Sequence, residues 1–159
     1  MIRPTDPADT PLLLQLAEGT GVFKPLEIQA LREVLDDYHA ANQALGHRAV
    51  TLEEEGTVLA FAYYAQAAMT DRAWSLWWIA VGKTKQARGL GTQLIKHVED
   101  EVRGKGGRVL FVETSSTAHY EPTRRFYLKL GYEITATLRD YYADGDDMVV
   151  FRKRMDGAG

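Results

Sequence analysis

The segment 73–112 restricts the fold of this chain more than any other. Two apolar runs of strand length, 73–81 and 108–112, flank a glycine-containing loop and a single helical stripe. In the stripe Leu94, Ile95, Val98 and Val102 recur at the spacing of one helix face, and Gly104, Gly106 and Gly107 close it. Strand, crossover helix and strand return the chain in its original direction, so the two runs are predicted to lie parallel in one sheet. The run 108–112 is almost unbroken in its apolar character, as expected of a strand covered on both faces.

The flanking sequence supplies the rest of the order. After a short strand at 1–3, Asp6 followed by Pro7 reads as an N-cap with proline at the first helical position. Leu13, Leu16 and Ala17 follow at helical spacing, and the first helix is predicted to end near Gly19. Pro25 opens a second helix, in which Leu31, Val34, Leu35 and Tyr38 form one stripe and Gly46 is the stop. The period then changes: 48–52, 57–67 and 73–81 are β-branched or aromatic runs separated by turn residues, an antiparallel meander. Beyond the crossover unit, 122–130 reads as a short helix with Gly131 at its C-cap. Strands at 132–139 and 147–153 then form a hairpin around Asp144 and Gly145. The expected fold is α/β (α+β), of order βααβββαβαββ, with a central mixed, mostly antiparallel sheet flanked by helices. With 159 residues and no repeat or linker, 1–155 is expected to be one domain and 156–159 a flexible tail.

Composition excludes several function classes. A formal net charge of -3 with a pI near 5.8 disfavours a nucleic-acid partner, which calls for a basic excess on one face. The absence of cysteine removes disulfides, thiolate metal sites and cysteine nucleophiles together. The N-terminus carries aspartates and prolines in place of an apolar export segment, and the apolar stretches are only strand-length. A cytoplasmic protein, away from membranes, is expected. A homodimer stays open.

The loop Gln86, Ala87, Arg88, Gly89, Leu90, Gly91 lies between an apolar strand and an amphipathic helix. Glycines there let backbone amides approach a ligand, and a helix N-terminus presents unpaired N–H groups to an anion such as a diphosphate. Lys83, Lys85 and Arg88 add positive charge. The plain alternative is that Gly89 and Gly91 only shape the turn. A dinucleotide fingerprint fits poorly, because Leu94 stands at the third glycine position and the strand ends well before Gly89. A Walker loop fails for want of Gly-Lys-Ser/Thr.

Residues Gln86 to Gly91 resemble the Gln/Arg-x-x-Gly-x-Gly/Ala acyl-CoA signature of the GCN5-related N-acetyltransferase (GNAT) superfamily. The likeness extends to Ile79, Ala80 and Val81 before the loop, and to Arg124, Arg125, Phe126, Tyr127, Leu128, Lys129, Leu130, Gly131 and Tyr132, which look like the family's C-terminal helix. Matching motifs run from about Trp74 to Tyr132. The resemblance implies acetyl-CoA as co-substrate, with Gln86, Ala87 and the amides from Arg88 through Gly89, Leu90 and Gly91 to Thr92 holding its diphosphate. Val81 would pair with the pantetheine where the family splays two parallel strands, and its amide would serve as an oxyanion donor.

By the same resemblance Tyr127 is the acid that protonates the departing thiolate; read without the motif, it is sooner an amphipathic core tyrosine between Phe126 and Leu130. Where family members often carry an asparagine before this tyrosine, Tyr120 stands here. An amine must lose its proton before it attacks a carbonyl, and Glu113, at the end of a parallel strand, could accept it. The alternative is a structural carboxylate binding the turn that follows.

His39, His47, His97 and His119 lack metal-ligand spacing, so no metal is expected; His119 alone is near the presumed site. Asp144 and Gly145 read as turn chemistry, while Asp140, Asp146 and Asp147 could attract a cationic acceptor. Trp74, Trp77 and Trp78 with Tyr63 and Tyr64 read as core, with Trp77 or Trp78 facing the acceptor. The expected function is direct acetyl transfer from acetyl-CoA to a small-molecule or peptide amine, against the alternative of a non-catalytic acyl-CoA-binding module.

Overall fold

The computed structural model describes residues 1–83 and 89–157. Among the described residues seven strands form one sheet, in the order β1-β2-β3-β4-β5-β7-β6. The chain divides into two compact units, Met1–Gln66 with Trp77–Val98, and Ala67–Leu76 with Glu99–Gly159, and strand β4 (Ala73–Val81) contributes to both.

In the first unit β1 (Ile2–Pro4), β2 (Arg48–Glu54) and β3 (Thr57–Gln66) are antiparallel, in the registers Ile2↔Leu52 and Arg48↔Tyr64. The β2–β3 turn places both Glu55 (φ 50) and Gly56 (φ 79) in the left-handed region, the requirement of a tight two-residue hairpin. β3 is buried from Leu59 to Ala65, which explains why its apolar run does not alternate. Two helices cover this part of the sheet. Asp6 caps a short 3-10 turn, Pro7–Asp9, by accepting the Ala8 amide, and the buried Asp9 accepts the Asp6 amide in return. Arg3 donates two bonds to Asp9 and lowers the pKa of that carboxyl below its ordinary value. Helix α1 (Thr10–Gly19) then buries Leu13, Leu14 and Ala17, and α2 (Pro25–Asp37) buries Leu31 and Leu35, in one cluster with Phe61 and Tyr63 of β3.

In the second unit the parallel register runs from Ala73↔Val109 to Leu76↔Val112, between β4 and β5 (Val109–Ser115). β7 (Asp146–Arg154) lies antiparallel between β5 and β6 (Glu133–Ala143). Helix α3 (Leu90–Gly104) makes the crossover, and its stripe Leu90, Leu94, Ile95, Val98 and Val102 is buried. Gly107 follows because nothing larger fits: a Cβ there would stand 2.4 Å from Val102 Cγ1 and 2.9 Å from Trp74 Cδ1. The short α4 (Glu121–Lys129) ends against a buried polar knot. Tyr132 donates to Glu99 at 2.7 Å, and Lys153 donates to Glu99 at 3.0 Å and to the Leu130 carbonyl at 2.8 Å.

The element order is the expected one, and three local features differ from it. α2 does not run on to Gly46; it passes at Asp37 into one π-helical turn, Tyr38–Asn42, in which the Gln43 amide bonds the Tyr38 carbonyl five residues back. A 3-10 turn, Ala118–Tyr120, precedes α4. β6 continues past Arg139 to Ala143, because a register shift with Asp140 at φ 59 breaks the alternation without ending the strand.

Candidate functional site

In the first unit β4 ends at Val81, which is half-buried, and the Gly82 amide bonds the Leu59 carbonyl at 2.8 Å. Gly89 has φ 75, and its carbonyl accepts the Gln93 amide as α3 begins. A Cβ at Gly89 would meet nothing within 4 Å, so this glycine supplies a backbone conformation and not space. The amides of Leu90, Gly91 and Thr92 lie ahead of that first helix bond, where N–H groups point out of the helix end. Gly91 is half-buried and Thr92 exposed, so the backbone of this turn is approachable. Gln86, Ala87 and Arg88, with Lys85, lie outside the described residues.

The same unit carries an aromatic group. His47 Nδ1 and the Tyr63 hydroxyl are 2.6 Å apart, and the Trp77 ring lies 5.1 Å from the His47 ring and 5.2 Å from that of Tyr63. Burial, with smaller effects of Tyr38 and Asp37, pushes the Tyr63 phenol up to about 12. Burial also lowers the His47 imidazole below its ordinary value, so it is neutral at pH 7. Trp78 faces the core, 5.5 Å from Phe23. Composition flagged the tryptophans, but nothing in the sequence singled out His47, because its partner lies 16 residues away.

In the second unit Tyr127 is buried on α4 among the rings of Phe126, Phe151 and Tyr132, at 5.3, 5.5 and 5.6 Å. Burial raises its phenol above the ordinary value, so the group keeps its proton throughout the physiological range. Phe126 and Leu130 are only half-buried.

Glu113 is exposed on β5 opposite Val150, and no hydrogen bond or ion pair ties its side chain to another described residue. The turn after it is held by other groups. Ser115 donates to the buried Asp146 at 2.5 Å and accepts the Thr117 amide, while Arg124 Nη1 donates to the Ser115 and Thr117 carbonyls, each at 2.8 Å. These bonds tie the start of α4 to β5 and β7. Asp146 is thus engaged, as is Asp147, which accepts the Asp140 amide; the acids of the last hairpin build that hairpin. The role of Ser115 was not legible in the sequence because Asp146 is 31 residues away. Tyr120 and His119 stand together just before α4, their rings 6.3 Å apart.

Among the described residues no group of three or more His, Cys, Asp and Glu could hold a metal ion, and no helix is long and apolar enough to cross a membrane.

Residues 15–132 match the family described as Acetyltransferase (GNAT) family. Among curated proteins, the chain is 32% identical over 83 residues to the uncharacterized N-acetyltransferase MJ1530 of Methanocaldococcus jannaschii, covering 50% of this chain and 51% of that one. It is 29% identical over 66 residues to the uncharacterized N-acetyltransferase YsnE of Bacillus subtilis, covering 42% and 44%. The chain therefore spans about half the length of the curated relatives it matches. Among solved structures, a GNAT-family protein of Desulfovibrio desulfuricans superposes with a TM-score of 0.93 at 35% identity, covering 98% of both chains. YncA of Salmonella typhimurium, solved with its cofactor acetyl-CoA, superposes with a TM-score of 0.76 at 21% identity over 100% of this chain and 95% of its own. At that identity the likeness concerns the fold alone.

Proposed function

Because the chain belongs to the acetyltransferase (GNAT) family, we propose that residues 1–155 work as one N-acetyltransferase domain that passes an acetyl group from acetyl-CoA directly to a primary amine. The observation that carries this reading is the start of α3, where Gly89 takes a left-handed conformation and the amides of Leu90, Gly91 and Thr92 precede the first helix bond. Such a helix end suits a diphosphate, and Gln86, Ala87 and Arg88 complete the signature on its N-terminal side. Val81, eight residues before Gly89, is assigned to the pantetheine and its amide to the acetyl oxygen.

The chemistry needs a neutral amine to attack the acetyl carbon, the C–S bond to break and the thiolate to take up a proton. Tyr127 supplies that proton: burial keeps its phenol neutral, so the proton is present to be given. Glu113 receives the proton leaving the amine, its exposed carboxylate being unclaimed by the turn that follows it.

Calorimetric titration with acetyl-CoA tests the cradle. Gly91→Val places a branched side chain over the amides and is expected to weaken binding at least about tenfold, roughly 1.4 kcal/mol, while the protein stays folded. Unchanged affinity would remove the cradle assignment. Glu113 is tested by kinetics: Glu113→Gln is expected to lower turnover ~100-fold at low pH, where the acceptor is mostly ammonium, and less as pH rises and free amine accumulates. A folded Gln variant with the wild-type pH–rate profile would take Glu113 out of the mechanism.

A further inference from the structure

Trp77 stands out among the three tryptophans, because 48% of it is exposed although it is packed edge-on and obliquely against two other rings. Its support is rigid. The Tyr63 hydroxyl and His47 Nδ1 are hydrogen-bonded at 2.6 Å. Behind Tyr63 stands Tyr38, 5.6 Å ring to ring, which is fully buried with a hydroxyl that has no partner among the described residues. Asn42 and Tyr38 sit at the two ends of the π-helical turn that interrupts the helix, a distortion often found at functional sites. A half-exposed indole held against two other rings points to a ligand on its open face.

The electrostatics select its charge. Indole and phenol faces are electron-rich, the Asp37 carboxylate is close enough to act on the Tyr63 hydroxyl, and His47 carries no charge at neutral pH. The cluster therefore favours a cation. Chemistry then restricts where on the acceptor that cation sits. The nitrogen that attacks the acetyl carbon must have a free lone pair, so a charged nitrogen held on the rings is a different one.

We infer that the shelf formed by Trp77, His47 and Tyr63 binds a second, non-reacting ammonium group of the acceptor, which makes the acceptor a diamine or polyamine. This rests on the acetyltransferase reading and deepens it. Trp77 and Val81 lie on the same strand, four residues and therefore ~13 Å of backbone apart, so the separation of the two nitrogens is set by β4 itself.

The test compares 1,4-diaminobutane and 1,8-diaminooctane with the amino alcohols of equal length, in which a neutral hydroxyl replaces the second ammonium. For the wild-type protein KM is expected to favour the better diamine by about 3- to 30-fold after correction for its two equivalent nitrogens. Trp77→Leu is expected to abolish that preference, and Trp77→Phe, which keeps a weaker ring face, to retain part of it. If the Leu variant fails to fold, the Phe variant and His47→Leu carry the comparison. Calorimetric titration of the same diamine into CoA-saturated protein reads the shelf without turnover. Equal diamine affinity in wild type and Leu variant, or equal affinity of wild type for diamine and amino alcohol, overturns the inference even if amines are acetylated. Loss of diamine affinity in the Leu variant of a protein that acetylates nothing would uphold the cation shelf and remove the acetyltransferase reading instead.

Discussion

Tyr127→Phe is expected to lower kcat by about 100- to 10,000-fold, the usual effect of losing a general acid, with little change in KM for acetyl-CoA. The substitution is clean because it keeps the aromatic volume and the ring stays where Phe126, Tyr132 and Phe151 hold it. Folding should therefore change by less than about 1 kcal/mol. Thiol release measured against a saturating amine separates two roles for this residue. A rate near wild type would make Tyr127 a packing residue, and water or Tyr120 would have to donate the proton.

The largest expected effect on stability lies at Glu99. Its buried carboxylate accepts the Tyr132 hydroxyl and faces the Lys153 ammonium, which also bonds the Leu130 carbonyl at the end of α4. Glu99→Ala leaves the lysine without its counter-charge and the phenol without an acceptor. Breaking such a buried pair costs about 3 to 5 kcal/mol, and the low end applies here because a quarter of the Lys153 side chain still reaches water. Glu99→Gln keeps an acceptor for Tyr132 and should cost less. Urea unfolding of the three proteins checks the order. Equal midpoints for wild type and Glu99→Ala would show that the knot contributes nothing to stability. Because the Tyr132 ring packs on Tyr127 at 5.6 Å, loosening the knot should also be felt at the proposed acid, as a lower kcat in the folded fraction.

What the sequence revealed of this fold follows from the range of the interactions involved. Local periodicity located α1, the crossover α3 and the parallel β4–β5 pair, because each rests on residues spaced within one element. The Asp6 cap and the hairpin at Gly145 were legible for the same reason: Ala8 lies two residues from Asp6, and a left-handed glycine can be placed from its neighbours. The π turn at Tyr38 was not, since it depends on where the Tyr63 ring arrives from β3. The Ser115–Asp146 bond, the Glu99 knot and the His47–Tyr63 pair join residues far apart in sequence, and no spacing rule reports them. Tyr127 shows the limit most plainly. Its place on an amphipathic helix was readable, but burial of that ring depends on Phe151 from the last strand.

The most direct test of acetyl transfer is free-thiol release from acetyl-CoA by the wild-type protein, with and without added amine, together with the mass of the product. The expected result is thiol release that depends on the amine, one thiol for each acetyl group found on nitrogen. Tight acetyl-CoA binding with no release above background, for diamines, simple amines and peptides alike, would contradict it and leave an acyl-CoA-binding module in place of an enzyme.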